Sequence, residues 1–257
     1  MKVLILAGGL GTRLSEETDK LPKPMVEIGN RPILWHIMKI YSAQGFNEFV
    51  ILLGYKSSVV KDYFLRYQHY ESDITVDMAN NSIVEHNYLA EPWKVTLVNT
   101  GIHTMTGGRI LRAREFVGSE PFMLTYGDGV CDVDIGALLE THQRHGRIAT
   151  MTSVQPDGRF GGVEVGHNNR VEHFSEKPKG DGVWINGGFF VCQPEIFDYL
   201  QGGDDLVFEQ QPLRSLARDG QLYTYQHPGF WKCMDTVRDR MDLTRLWQSG
   251  LAPWKIW

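Results

Sequence analysis

Three hydrophobic patterns near the amino terminus together predict a βαβ unit. Val3 to Ala7 is a continuous apolar run that breaks at Gly8, Gly9 and Gly11. A run that short, closed by glycines, predicts a buried strand followed by a loop. Ile33, Leu34, Ile37, Met38 and Tyr41 then recur at the spacing of one helix face, with Asn30 expected as the cap and Gly45 as the end. The stretch FVILL within Glu48 to Leu53 predicts a second buried strand of the parallel type. In such a unit the loop after the first strand lies at the carboxyl edge of the sheet, where open α/β sheets bind ligands. This loop runs from about Gly8 to Asn30, well beyond the roughly 2–6 residues usual for a βα connection, so it is expected to carry function.

Further along, the pattern predicts a helix from about Ser57 to Tyr67 and weaker strands near Ile74–Met78 and Val95–Val98, with His69 to Asn87 as an excursion. Thr100 to Arg109 is a second glycine-bearing turn leading into a helix through Ile110, Leu111 and Phe116. Phe122 to Tyr126 reads as a short strand ending in Gly127-Asp128-Gly129, which sets a carboxylate just past a strand end. A helix from about Asp134 to His145 and a strand over Ile148–Val154 follow. From Phe160 the segments become short and alternating, which predicts antiparallel strands. Asp204 to Arg218 and Thr236 to Gln248 read as helices around a strand from Gln221 to His227. The expected fold class is α/β: one Rossmann-like mixed sheet flanked by helices, with a smaller antiparallel part. The 257 residues are expected to form one domain, with a first part over about 1–155 and a second over about 156–257 that ends in a helix and tail.

Charge narrows the ligands. A formal net charge of −5 argues against nucleic acid as a partner, so any polyphosphate must be met by a few local cations and a metal ion. Cys131, Cys192 and Cys233 are odd in number and widely spaced, which fits neither a disulfide framework nor a zinc site. The first apolar run is too short for a signal-peptide core and none approaches about 18 residues, so a cytoplasmic protein without a membrane segment is expected.

The glycine loop is not a P-loop, for it lacks the Gly-Lys-Ser/Thr ending, and Leu14 stands where a dinucleotide fingerprint has its third glycine. Its chemistry comes from company: glycine amides can cradle phosphate oxygens, and Thr12, Arg13 and Lys23 add a hydroxyl and two cations. Asp128 is a turn-former or a ligand, and its place at a strand end favours the second. Asp132 and Asp134 read as caps of the following helix, as Asp235 does for the last one. Glu176-Lys177 alone would be a solvated charge pair. His142 and His145 have no third ligand type nearby in the pattern and are expected to face solvent. Trp247, Trp254 and Trp257 fit either ordinary packing or a subunit contact.

The stretches AGGLGTRL and LPKPMVEIG resemble the signature of the sugar-1-phosphate nucleotidylyltransferases, the NDP-sugar pyrophosphorylases. GYK, TYGDG, GRFGG, EKPKGDG, INGGFF, MDT and APWK extend the resemblance along the chain, and EPWKVTLV, MTGGR and HPGFW point to its cytidylyl branch. The resemblance implies the nucleotide-diphospho-sugar transferase fold, with about 1–155 as the nucleotide-binding half and about 156–257 as the sugar-binding half. It also implies nucleotide contacts from Leu6, Ala7, Gly8, Gly9, Leu10, Gly11, Thr12, Arg13, Lys23, Thr104, Arg109 and Asp128, with Arg13, Lys23 and Asp128 acting on the reacting phosphates. Glu176, Lys177 and Asn186 are implied for the sugar phosphate, and Asp128 with Asp235 for Mg²⁺. The implied substrates are CTP and glucose 1-phosphate, with dTTP or UTP as the alternative nucleotide and a catalytically inactive, nucleotide-sugar-binding regulatory subunit as the alternative of another class. A homo-oligomer, a hexamer, and a place in deoxysugar synthesis for bacterial surface polysaccharide complete the implication.

Overall fold

Strand Lys2–Ala7 (β1) is buried on both faces, which is why its sequence is continuously apolar rather than alternating. Val3, Ile5 and Ala7 enter one hydrophobic cluster, and Leu4 and Leu6 enter another on the opposite side. The computed structural model describes residues 1–19, 21–156, 162–165, 167–175 and 183–257, with backbone alone at 13, 15, 16, 162–165, 174 and 175. Around β1 stand Glu48–Leu53 (β2), Lys94–Asn99 (β3), Phe122–Tyr126 (β4), Ala149–Val154 (β5), Ile185–Cys192 (β6) and Leu222–His227 (β7). Together they form a seven-stranded sheet in the order β7-β5-β6-β4-β1-β2-β3. All its strands run one way except β6, which is antiparallel to both β4 and β5.

Helices cover both faces. Ile33–Ser42 (α1), Ser57–Glu71 (α2), Ile135–His145 (α4) and Val237–Gln248 (α6) pack on the Val3–Ile5 side, whereas Thr106–Arg112 (α3) and Gln211–Arg218 (α5) pack on the Leu4–Leu6 side. The parallel strands therefore end together at one edge, and the reversed β6 begins there. This edge gathers the ends of β1, β2, β3 and β4 with the start of β6.

The first βαβ unit, the strand before Asp128 and the final helix lie where the sequence put them. Asn30 does not cap α1. It sits with Gly29 in the turn of a small hairpin, Glu27–Ile28 with Arg31–Pro32, and Pro32 precedes the helix. Of the helix expected over Asp204–Arg218 only Gln211–Arg218 forms, with Pro212 in its first turn. The preceding residues spend their carbonyls elsewhere: Asp204 O accepts from Met105 N at 2.7 Å and Leu206 O from Gly107 N at 2.8 Å. The antiparallel segments after residue 160 do not make a separate layer, because β6 inserts into the main sheet and β7 pairs parallel with β5. A hairpin of Gly162–Val165 with Val171–Ser175 is the antiparallel remainder. The excursion after α2 is another hairpin, Asp73–Asp77 with Ser82–His86.

Candidate active site

At the carboxyl edge of the sheet a cleft of about 320 Å³ opens between the glycine loop and the turn before α3. Leu6, Ala7, Gly8, Gly9, Gly11, Thr12 and Lys23 line one side, and Thr104, Met105, Thr106 and Arg109 the other. Tyr126, Gly127, Asp128 and Asp235 close the floor. Most of the residues singled out around the glycine loop are therefore brought together. Leu10 is not among them: it is 47% exposed and does not line the cleft.

Arg109 explains part of the loop's sequence. It is buried, and its guanidinium donates to Gly8 O at 2.9 Å, to Gly101 O and Thr100 Oγ1 at 2.7 Å and to Leu53 O at 3.2 Å. A Cβ at Gly8 would collide with that guanidinium, so the glycine is required by close approach. Arg109 thus ties the ends of β1, β2 and β3 to α3 while also facing the cleft. Burial, then the neighbouring Arg112, pulls its pKa below the usual value.

The carboxylates meet through a strand pairing that the sequence does not reveal. Trp231–Cys233 pairs antiparallel with Gly129–Cys131, Cys233 opposite Gly129, and Met234 N donates to Asp128 O at 2.8 Å. Asp235 thereby arrives beside Asp128. It does not cap α6, since Thr236 does so in a reciprocal capping box with Asp239. Lys23 Nζ lies 2.7 Å from Asp128 Oδ2 and 2.7 Å from Asp235 Oδ1. Burial pulls the Lys23 ammonium down, but Asp128 beside it, with the hydrogen bonds to both carboxylates, pushes it well above the usual lysine range.

Asp128, Asp235 and Cys233 bring their ligand atoms within 4.8 Å of one another. Burial, and next Asp128, pushes the Cys233 thiol up, and the two carboxylates supply the hard oxygen donors of the group. Paired carboxylate oxygens fit a hard divalent ion.

Asn186 lies at the start of β6. Its Nδ2 donates to Tyr126 Oη at 3.1 Å and its Oδ1 accepts from Gly188 N at 2.8 Å. Gly188 has φ +83° and the Tyr126 ring occupies the space a side chain would need. Trp231 Nε1 donates to Gly187 O at 2.7 Å, so one short strand steadies both Asp235 and the Asn186 segment. Arg13 belongs to a single 3₁₀ turn, Thr12–Leu14, and its side chain lies outside the described residues, as do Glu176 and Lys177.

Two other expectations change. Asp134 caps α4 as foreseen, accepting from Ala137 N, but Asp132 instead accepts from His227 Nε2 and Phe230 N, both at 2.7 Å. His142 does not face solvent: it is 1% exposed and bonded to Thr150 Oγ1 and Gln193. Sequence reading passed over Tyr126, Met105 and Thr106 in the cleft. For Tyr126 the signal was available, a residue at the end of a strand just before Gly-Asp-Gly.

A doubly covered sheet with phosphate-sized glycine and lysine chemistry at its carboxyl edge defines a nucleotide-handling enzyme, and the sequence profile of the nucleotidyl transferases matches residues 2–239. The chain belongs to the nucleotidyl transferase family. It is 54% identical to the glucose-1-phosphate cytidylyltransferase of Salmonella typhimurium and 44% identical to the probable glucose-1-phosphate cytidylyltransferase of Bacillus subtilis, covering 100% of both chains in each case. Among solved structures, HddC from Yersinia pseudotuberculosis shares the fold, with a TM-score of 0.70 over 96% of this chain and 99% of that one at 24% identity. Among the described residues no helix is long and apolar enough to cross a membrane.

Proposed function

We propose that this chain joins CTP and glucose 1-phosphate to give CDP-glucose and pyrophosphate. The reaction class rests on one observation: Lys23, Asp128 and Asp235 converge on the glycine loop at the edge of a nucleotidyl transferase sheet. The choice of substrates rests on the two full-length relatives of that name.

A sugar phosphate is largely dianionic at neutral pH, because a phosphate monoester has its second pKa near about 6. Its oxygen attacks the α-phosphorus of CTP, forming the new P–O bond as the bond to the β-phosphate bridge breaks and the electron pair leaves with pyrophosphate. No general base is needed for that step, so the protein contributes alignment and charge. The amides of Gly8, Gly9 and Gly11 and the hydroxyl of Thr12 receive the phosphates, and Lys23 and Arg13 neutralise the triphosphate and its leaving group. Thr104 and Arg109 form the wall toward the base. Asn186, with Glu176 and Lys177, holds the sugar phosphate. Mg²⁺ held by Asp128 and Asp235 would supply charge neutralisation on the phosphate oxygens.

The protein acts in the cytoplasm as a homo-oligomer, in this proposal a hexamer. A subunit contact is supported by the two-stranded hairpin after α2, which exposes Ile74, Val76, Ile83 and Val84.

Pyrophosphate release from CTP, UTP, dTTP, ATP and GTP, each with glucose 1-phosphate and Mg²⁺, tests the reading. CTP is expected to be fastest. Faster turnover of UTP or dTTP would reassign the base, and nucleotide binding without turnover of any would point to the regulatory alternative.

A further inference from the structure

One carboxylate links the nucleotide side of the cleft to its sugar side. Glu209 is half-buried in the loop between Leu206 and α5. Thr106 Oγ1 donates to its Oε2 at 2.7 Å, and Tyr126 Oη donates to its Oε1 at 2.7 Å. Thr106 opens α3 directly after Thr104 and Met105 in the cleft wall, and its oxygen also accepts from Phe208 N at 2.9 Å. Tyr126, having given its hydrogen to Glu209, is left to accept from Asn186 Nδ2 at 3.1 Å. The chain of bonds runs from the turn before α3, through Glu209 and Tyr126, to the start of β6.

An ionised carboxylate only accepts, so Glu209 fixes the direction of every bond along this line. Thr106 and Tyr126 must both donate, and the amide nitrogen of Asn186, not its oxygen, must face Tyr126. That leaves Asn186 Oδ1 for Gly188 N. We propose that Glu209 is a positioning residue for the transfer, holding the nucleotide wall and the Asn186 segment in one register so that the two substrates meet in line. The inference rests on the function proposed above. Its consequence is coupling: a change on the nucleotide side is felt by the sugar phosphate, and coupling between two binding sites is reciprocal.

A mutant cycle tests it. Initial rates with both substrates varied are compared for the unmodified protein, Thr106→Val, Glu209→Ala and the double variant. Thr106→Val, although it lies in the nucleotide wall, is expected to raise KM for the sugar phosphate by about fivefold or more. In the Glu209→Ala background the same substitution is expected to add nothing further. The proposal is overturned if Thr106→Val alters the nucleotide KM alone, or if its effect on the sugar phosphate is the same with and without Glu209. Should Glu209→Ala fail to fold, Glu209→Gln keeps the volume but must offer an N–H to one of two hydroxyls that each already accept another bond, so that this hydroxyl's own hydrogen loses its acceptor. It is expected to fall between the unmodified protein and Thr106→Val in sugar-phosphate KM at an unchanged melting temperature, and behaviour identical to the unmodified protein contradicts the proposal. The comparison uses whichever nucleotide the unmodified protein turns over best, so a wrong base assignment sinks the earlier proposal and leaves this one standing. If turnover is absent, equilibrium binding of the two substrates closes the same cycle.

Discussion

Lys23 joins the two carboxylates of the site, its ammonium shared between Asp128 and Asp235 at 2.7 Å each. Removing it leaves two carboxylates facing each other and strips the phosphate side of a cation. Lys23→Ala is expected to cut turnover roughly 10²–10³-fold, the scale seen when one charge-stabilising donor is lost, while the purified variant still melts cooperatively. Near-normal rates would contradict the role given to Lys23. Arg109 belongs to a different kind of residue. Its fork satisfies Gly8 O and Gly101 O together, which a lysine cannot do. Arg109→Lys is expected to lower stability by roughly 2 kcal/mol and to weaken nucleotide affinity with it, measured by urea unfolding and by titration of CTP. A variant that loses affinity without stability would mean that Arg109 acts only on the ligand.

Among the elements, the short strand Trp231–Cys233 does the joining, because its pairing with Gly129–Cys131 delivers Asp235 and its Trp231 Nε1 reaches Gly187 O. Trp231→Phe keeps an aromatic ring, though a smaller one, and loses that bond. It is expected to cost about 1 kcal/mol and to raise KM for the sugar phosphate more than for CTP. Equal effects on both would place the strand outside the sugar side. Such a strand is invisible in sequence, since WKC has no period and its partner is distant, whereas β1 and its glycines are legible because a strand buried on both faces writes a continuous apolar run. The same logic separates the right and wrong helices. Val237–Gln248 announces itself with a Thr-x-x-Asp start, while the stretch from Asp204 has helical composition but gives its carbonyls to Met105 and Gly107. Local grammar makes Asp235 a helix cap, whereas the strand pairing sets it beside Asp128 and leaves the cap to Thr236. Glu209 had no sequence signal, because its two donors come from different elements.

At the scale of the whole molecule, two buried histidines make the fold sensitive to acid. Burial lowers the His36 pKa to about 4, and burial followed by His145 lowers that of His142 to about 4. Each is held as a neutral tautomer: Trp254 Nε1 donates to His36 Nδ1, which leaves Nε2–H for Ile28 O, and Gln193 donates to His142 Nε2, which leaves Nδ1–H for Thr150 Oγ1. A second proton would set donor against donor in both places. The folded chain thus binds fewer protons than the unfolded one, so this stability is fully present above an unfolded histidine pKa of about 6.5 and is lost as pH falls toward about 4. Each histidine contributes up to about 1.4 kcal/mol per pH unit within that window. Urea midpoints measured from pH 7 to pH 4 are expected to fall steadily, and a flat profile would contradict the neutral assignment. His36 also shows what the carboxyl-terminal tryptophans do in this chain, since Trp254 is fully buried against it with Trp247 nearby. The tail closes the core on the side of the sheet that carries α1. All of this serves one edge of one sheet, and the claim about that edge is that it transfers a cytidylyl group to a sugar phosphate. The most direct measurement is pyrophosphate released by the purified protein from equal concentrations of CTP, UTP and dTTP with glucose 1-phosphate and Mg²⁺. Release with CTP well above the others, lost in Asp128→Asn, is the predicted result, and preference for another nucleotide or an undiminished Asp128→Asn rate would contradict it.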